Sequence, residues 1–308
     1  MRARHLLSIH DLGLDEVGEI FDLAQELKER QRRREPHRRL EGKTLAMIFE
    51  KPSTRTRVSF EVGMAQLGGR ALVLNAADTQ LGRGETLHDT AKVLSRYVDG
   101  IMARTFAHET VLELARHGSV PVINGLTDLL HPCQVLADLF TIRERFGRLE
   151  GLVIAYVGDG NNMANSYLHG AAKVGAELRV ATPEGYRPDP GVFRAAETDA
   201  RTSGGRVAVM TDPAAAVAGA HVVCTDTWAS MGQEAEHEAR KKVFAPYQLN
   251  AALLARARSE AIVLHCLPAH RGEEITDEVM DGPQSAVFDE AENRLHVQKA
   301  ILALLLRE

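Results

Sequence analysis

Short, unbroken apolar runs alternate along this chain with segments whose hydrophobic residues recur every three or four positions. The runs TLAMIF (44–49), ALVLN (71–75), GIMAR (100–104), VPVIN (120–124), LVIAYVG (152–158), LRVAT (178–182), RVAVM (206–210), HVVCT (221–225) and IVLHC (262–266) do not alternate with polar residues. That pattern predicts strands covered on both faces. Helical spacing fills the intervals 61–67, 86–98, 110–117, 133–146, 164–174 and 248–258, and returns at 293–306. Strand-helix alternation on this scale predicts parallel sheets with crossover helices, hence an α/β fold of two doubly wound domains. A long helix ends near Gly147 and a fresh strand series follows, so one domain spans 1–147 and the next 148–285, with the terminal segment 286–308 packing back onto the first.

Composition narrows the class without naming a function. A length of 308 residues suits two domains, and 44% hydrophobic with 26% charged residues excludes disordered and fibrous classes. Neither a signal peptide nor a run of ~18 apolar residues is visible. The formal net charge of -5 argues against nucleic acid as a partner, so any anion site must be local. Three widely spaced cysteines, Cys133, Cys224 and Cys266, without a C-x-x-C pair, fit a reduced, cytoplasmic setting. Cys133 and Cys224 read as small core residues. The arginine run at 31–39 reads as a solvated helix end and receives no role.

Candidate chemistry concentrates where strands end. After TLAMIF comes EKPSTRTRVSFE, in which Pro52 and Ser53 suit a helix opening and Ser53 can cap its N–H groups. A helix start carries partial positive charge, and Ser53, Thr54, Arg55, Thr56 and Arg57 add donors around it, a composition suited to phosphate. The competing reading is a capped helix whose arginines pair with Glu50 and Glu61. Arg104 ends the GIMAR run, and HPCQ places His131 and Gln134 at another strand-to-helix junction, where an imidazole and an amide could polarise a carbonyl. The GDGNN segment contains a lone G-x-G, a weak dinucleotide signal. His265, Cys266 and His270 lack a fourth ligand at metal spacing, so neither metal nor cofactor is assigned.

Taken together, STRTR, the strand-end arginine and HPCQ, in this order and spacing, resemble the transcarbamoylases across nearly the whole chain. Within that family, Gln80 in TQLGRGET and the strand end HCLPAHRG depart from the aspartate-using pattern, and DTWASMG (226–232) is similar to the D-x-x-x-SMG loop of members that use ornithine. The resemblance implies two domains with the active site in the cleft between them, the first binding carbamoyl phosphate and the second L-ornithine. It implies that Ser53, Thr54, Arg55 and Thr56 cradle phosphate; that Arg104, His131 and Thr56 stabilise the carbonyl oxygen; and that Gln134 with the backbone of Cys266 and Leu267 accepts from the carbamoyl amide. Arg294 of ENRLH, and Gln80 supplied by a neighbouring subunit of a homotrimer, complete that side. Asn162, Asp226, Ser230 and Met231 would hold ornithine, and Trp228 to Arg240 would be a mobile closing segment. Cys266, expected to have a depressed pKa, and Asp226 are the candidate proton acceptors for the ornithine side-chain amine.

Overall fold

The computed structural model describes residues 1–229 and 236–307. Its chain divides into two compact α/β units, Met1–Ala137 with Asn293–Glu308, and Asp138–Glu292. Both divisions fall inside helices, α5 (Pro132–Phe146) and α12 (Val287–Leu305).

In the first unit α1 (Leu14–Arg32) precedes β1 (Thr44–Phe49), α2 (Thr54–Gln66), β2 (Arg70–Asn75), α3 (Leu87–Leu94), β3 (Gly100–Arg104), α4 (His108–His117) and β4 (Val122–Leu126). The four strands are parallel in the order β2-β1-β3-β4. Ala46, Ile48, Ile101, Ala103 and Val122 pack from them against Val111 and Leu114 of α4. β1 passes to β2 on one side while the chain returns as β3 on the other, so the topological switch lies between β1 and β3. Ligands of open α/β sheets bind outside the carboxyl ends of strands at such a switch. Here Phe49 pairs with Arg104, and the Glu50 amide donates to the Arg104 carbonyl at 2.9 Å. A register shift beside Arg104, which pairs with Leu126 after Ala103 pairs with Asn124, breaks the ladder at this end; such bulges re-aim side chains.

Within the second unit the order is β5 (Val153–Val157), α6 (Asn162–Lys173), β6 (Glu177–Ala181), α7 (Pro190–Ser203), β7 (Arg206–Met210), α8 (Pro213–Val217), β8 (Val222–Thr225), α9 (His237–Phe244), α10 (Ala251–Leu254), β9 (Ile262–His265) and α11 (Asp277–Met280). Its parallel sheet runs β7-β6-β5-β8-β9. The switch point is therefore at β5 and β8. Val157, Val223, Phe244, Val263 and Ile275 belong to its core.

Two expectations need correction. Of the runs read as buried on both faces, β2 and β7 are partly open, with Leu72 49% exposed, whereas β4 and β9, which also lie at sheet edges, are covered. Helix limits also move. α2 starts well before the periodic interval because Ser53 caps it, whereas 248–258 contains only the short α10, opened by the Asn250 side chain accepting from Leu253 N at 3.0 Å. The C-terminal helix is anchored in the first unit by Lys299 Nζ, which donates to Gln31 Oε1 at 2.7 Å on α1 and Gln66 Oε1 at 2.9 Å on α2. Among the described residues no helix is long and apolar enough to cross a membrane.

Candidate active site

Capping explains why the serine-threonine-arginine segment becomes a donor cluster. Ser53 has an extended backbone and its Oγ accepts from Thr56 N at 3.2 Å, which starts α2 and leaves its first N–H groups open. Thr56 is fully buried, and two guanidinium groups converge on its hydroxyl: Arg294 Nη2 at 2.6 Å and Arg104 Nη1 at 3.3 Å. The other arm of Arg294 donates to Gln134 Oε1 at 3.1 Å. Thus α2, the end of β3 and α12 meet at one hydroxyl, and Arg294 links that point to the start of α5. Thr54 is exposed in the first turn of α2. The pairing alternative holds for only one arginine. Arg57 faces Glu61 at 3.5 Å, while the Glu50 carboxylate accepts from Phe106 N at 2.9 Å; Arg55 keeps a buried Nε with no hydrogen-bond partner.

His131 joins this cationic group, immediately before the α5 Pro132. Burial, then Arg294, Arg104 and Arg55, hold its pKa well below the ordinary 6.5, so the ring is a neutral imidazole. His296 on α12 is likewise depressed, to about 3, by burial and then by Lys299. The unfolded chain protonates these rings as pH falls below ~6.5 and the folded chain does not. Stability is therefore complete above ~6.5 and is lost on acidification, at about 1.4 kcal/mol per pH unit for each such histidine. Urea unfolding between pH 7.5 and 5 should show this decline, and His296→Gln should make it shallower. A stability that stays flat over that window would contradict neutral rings.

Gln80 is exposed at the start of the short 3-10 turn Leu81–Arg83. Neighbouring Asp78 and Leu81 line a cavity of ≈ 800 Å³ with Phe49, Glu50 and Pro52.

In the second unit, the strand ends at the switch point assemble around a carboxylate. Asp226 follows β8 and is 7% exposed. Its Oδ1 accepts from Cys266 Sγ at 3.1 Å, beyond β9, and its Oδ2 accepts from Asn161 Nδ2 at 2.8 Å, beyond β5. Asn161, not singled out in the sequence, is the N-cap of α6: its Oδ1 accepts from Met163 N at 2.9 Å and from Tyr156 Oη at 3.1 Å, which turns the amide nitrogen towards Asp226. The signal that could have found it is an asparagine after a strand and one residue before a helical run. Asn162 is the first helical residue and its carbonyl accepts from Ser166 Oγ at 2.8 Å. Gly160 has a local packing reason unrelated to a dinucleotide, since a Cβ there would lie 2.3 Å from Pro188 N.

The expected low pKa of Cys266 is overturned. Desolvation of the thiol, followed by the Asp226 carboxylate, pushes it well above the usual thiol value, so Cys266 is a protonated donor to Asp226. Leu267 adopts a left-handed backbone at φ 58, rare for a branched side chain, and its N–H donates to His265 Nδ1 at 2.9 Å. His265 in turn faces Glu274 Oε1 through Nε2 at 3.0 Å. A strained turn held this way orients the backbone around Cys266 and Leu267.

Ser230 and Met231 lie outside the described residues, as does part of the expected closing segment. Both of its flanks are packed. Trp228 is 4% exposed and stacks on Phe244 at 6.0 Å, and Arg240 joins Asp159 Oδ2 and the Trp228 carbonyl, each at 2.9 Å.

Comparison with known proteins finds two family domains along the chain. The carbamoyl-P binding domain of aspartate/ornithine carbamoyltransferases matches residues 4–144, and the Asp/Orn binding domain matches 150–305. The chain is 58% identical over 306 residues to an ornithine carbamoyltransferase of Pyrococcus horikoshii, covering 99% of this chain and 96% of that one. It is 60% identical over 305 residues to one from Carboxydothermus hydrogenoformans, covering 99% and 98%. Among solved structures, ornithine carbamoyltransferase from Pyrococcus furiosus superposes with a TM-score of 0.95 at 57% identity, covering 98% of this chain and 96% of that one. The Thermus thermophilus protein gives 0.89 at 46%, covering 100% of both.

Proposed function

Because the chain belongs to the aspartate/ornithine carbamoyltransferase family, we propose a reading of it as the ornithine-using kind. It transfers the carbamoyl group of carbamoyl phosphate to the side-chain amine of L-ornithine, giving L-citrulline and phosphate. The observation that carries this choice is 58% to 60% identity over 99% of the chain to relatives named ornithine carbamoyltransferase.

The donor is held by the first unit, domain 1–147 with the C-terminal helix. Ser53, Thr54, Arg55 and Thr56 bind phosphate through open α2 N–H groups, side-chain hydroxyls and the Arg55 fork. Arg104, the neutral His131 and Thr56 stabilise negative charge growing on the carbamoyl oxygen, a role for donors already fixed in place before reaction. Convergence of Arg104 and Arg294 on Thr56 Oγ1, with Gln134 behind Arg294, supports that fixity. Gln134 and the carbonyls of Cys266 and Leu267 accept from the carbamoyl amide.

The acceptor is held by the second unit, domain 148–285, through Asn162, Asp226, Ser230 and Met231. Asn161 adds a positioning role, because it fixes Oδ2 of Asp226. The ornithine amine is protonated near neutral pH and must lose a proton before it attacks. Asp226 is the acceptor in this reading, and Cys266 is the donor that orients it. We further propose a homotrimer in which Gln80 serves a neighbouring subunit's donor site, and a cytoplasmic place in arginine biosynthesis; a relative from Pyrococcus furiosus, 56% identical, is named as anabolic.

Incubation with carbamoyl phosphate and a panel of ornithine, putrescine, lysine, N-acetylornithine and aspartate tests the assignment. Citrulline should form with ornithine at least a hundredfold faster than the corresponding product forms with any other amine. Equal or faster use of another acceptor, or no product at all, would overturn it.

A further inference from the structure

A second group of metal-type side chains lies in the second unit, apart from the residues assigned to either substrate. His270, Glu273 and Glu274 each offer one ligand atom, all within 4.8 Å of one another. His237, the first residue of α9, brings its Nε2 to 3.3 Å from Glu273 Oε2, and the His237 and His270 rings meet edge to face at 5.9 Å. Lys241 Nζ occupies the other oxygen of Glu273, Oε1, at 3.1 Å.

Glu274 supplies an independent reason to expect an ion. The residue is 0% exposed. Its Oε1 accepts from His270 N at 2.6 Å and faces His265 Nε2 at 3.0 Å, while its Oε2 is buried without a hydrogen-bond partner. An unsatisfied buried acceptor costs about 1–3 kcal/mol, more when charged, and buried charges are normally paired or coordinate metals. His270 Nδ1 stands 4.0 Å from that oxygen, too far for a hydrogen bond.

The separations suit coordination. A tetrahedral ion with bonds of about 2.0–2.1 Å keeps its ligand atoms about 3.4 Å apart. Three edges are 3.3 Å from His237 Nε2 to Glu273 Oε2, 4.0 Å from His270 Nδ1 to Glu273 Oε2, and 4.0 Å from His270 Nδ1 to Glu274 Oε2. Contraction by about half an ångström would bring the two longer edges to that spacing, and His237, which touches Glu273 but stands outside the group of three whose ligand atoms all lie within 4.8 Å, would swing inward to complete the shell. Mixed imidazole and carboxylate donors favour zinc and its first-row neighbours over magnesium or calcium, which prefer oxygen alone.

We infer that His237, His270, Glu273 and Glu274 form a four-coordinate site for a first-row divalent cation, Zn²⁺ foremost. The ion would tie the start of α9 to the 270–274 segment and satisfy the orphan oxygen of Glu274.

Cobalt titration of the full-length protein, first stripped with a chelator, tests this directly. Co²⁺ should bind at one equivalent per chain with the visible absorption of four-coordinate cobalt and without a thiolate charge-transfer band, and Zn²⁺ should displace it. His237→Ala and His270→Ala, both at partly exposed positions, should each weaken binding at least tenfold while the metal-free variants melt like the parent. Cys266→Ser should bind Co²⁺ as the parent does. Absence of binding, unchanged affinity in both histidine variants, or a thiolate band that disappears in Cys266→Ser would overturn the site. The last result would place the ion instead on Asp226, His265 and Cys266, the other such group lying within this unit among the described residues.

Discussion

Arg55→Ala is expected to weaken carbamoyl phosphate binding about a thousandfold, the consequence of losing roughly 4 kcal/mol from two charge-assisted hydrogen bonds. The magnitude rests on what the neighbouring arginines already do. Arg57 is engaged with Glu61 at 3.5 Å, and Arg104 and Arg294 donate to Thr56 Oγ1. Arg55 sits in the first turn of α2 with its Nε buried and without a hydrogen-bond partner. A dianion at the helix start would meet the open N–H groups and this guanidinium together. Arg55→Lys should recover only part of the affinity, since an ammonium keeps the charge and loses the fork. Calorimetric titration with carbamoyl phosphate measures both variants, and a loss below tenfold in Arg55→Ala would remove Arg55 from the phosphate site.

The sheet was legible because buried parallel strands carry unbroken apolar runs. TLAMIF and GIMAR match the buried β1 and β3 residue for residue, and RVAVM matches β7 in extent although that strand is partly open. The exposure of β2 and β7 was not legible, since in composition they resemble both the central strands and the covered edge strands β4 and β9. The residues proposed to hold the donor stand out in the sequence because most belong to short local segments: a cap, a helix start, a strand end. Gathering Arg294 to Thr56 from 238 positions away required the fold itself.

The second unit was harder for the same reason. Asp226, Cys266 and Asn161 come from the ends of β8, β9 and β5, and only the strand order β5-β8-β9 makes them neighbours. Cys266 was expected to feel cations and instead donates to a carboxylate, which reverses the direction of its pKa. Charge state depends on which strand ends lie side by side, and periodicity carries no record of that.

That reversal leads to an expected ranking of three substitutions. Asp226→Ala should lower kcat/KM for ornithine by about 10³–10⁴, combining the loss of a proton acceptor with the loss of an anchor for the amino acid. It should also leave Cys266 Sγ and Asn161 Nδ2 without their shared acceptor, which adds a stability cost on the order of 1–3 kcal/mol. Carbamoyl phosphate affinity should be unchanged, because Asp226 belongs to the second unit and the proposed phosphate ligands to the first. Cys266→Ser should cost only about tenfold, since a serine hydroxyl can donate the same hydrogen bond to Oδ1. Asp226→Asn separates charge from shape: it keeps the volume, removes the basic carboxylate, and should fall close to the alanine variant in kcat. Steady-state kinetics with ornithine varied at saturating carbamoyl phosphate, accompanied by melts of each variant, resolve the order. A larger loss in Cys266→Ser than in Asp226→Asn would return the proton to the sulfur, because a thiol that serves only to orient its neighbour cannot matter more than the carboxylate it orients.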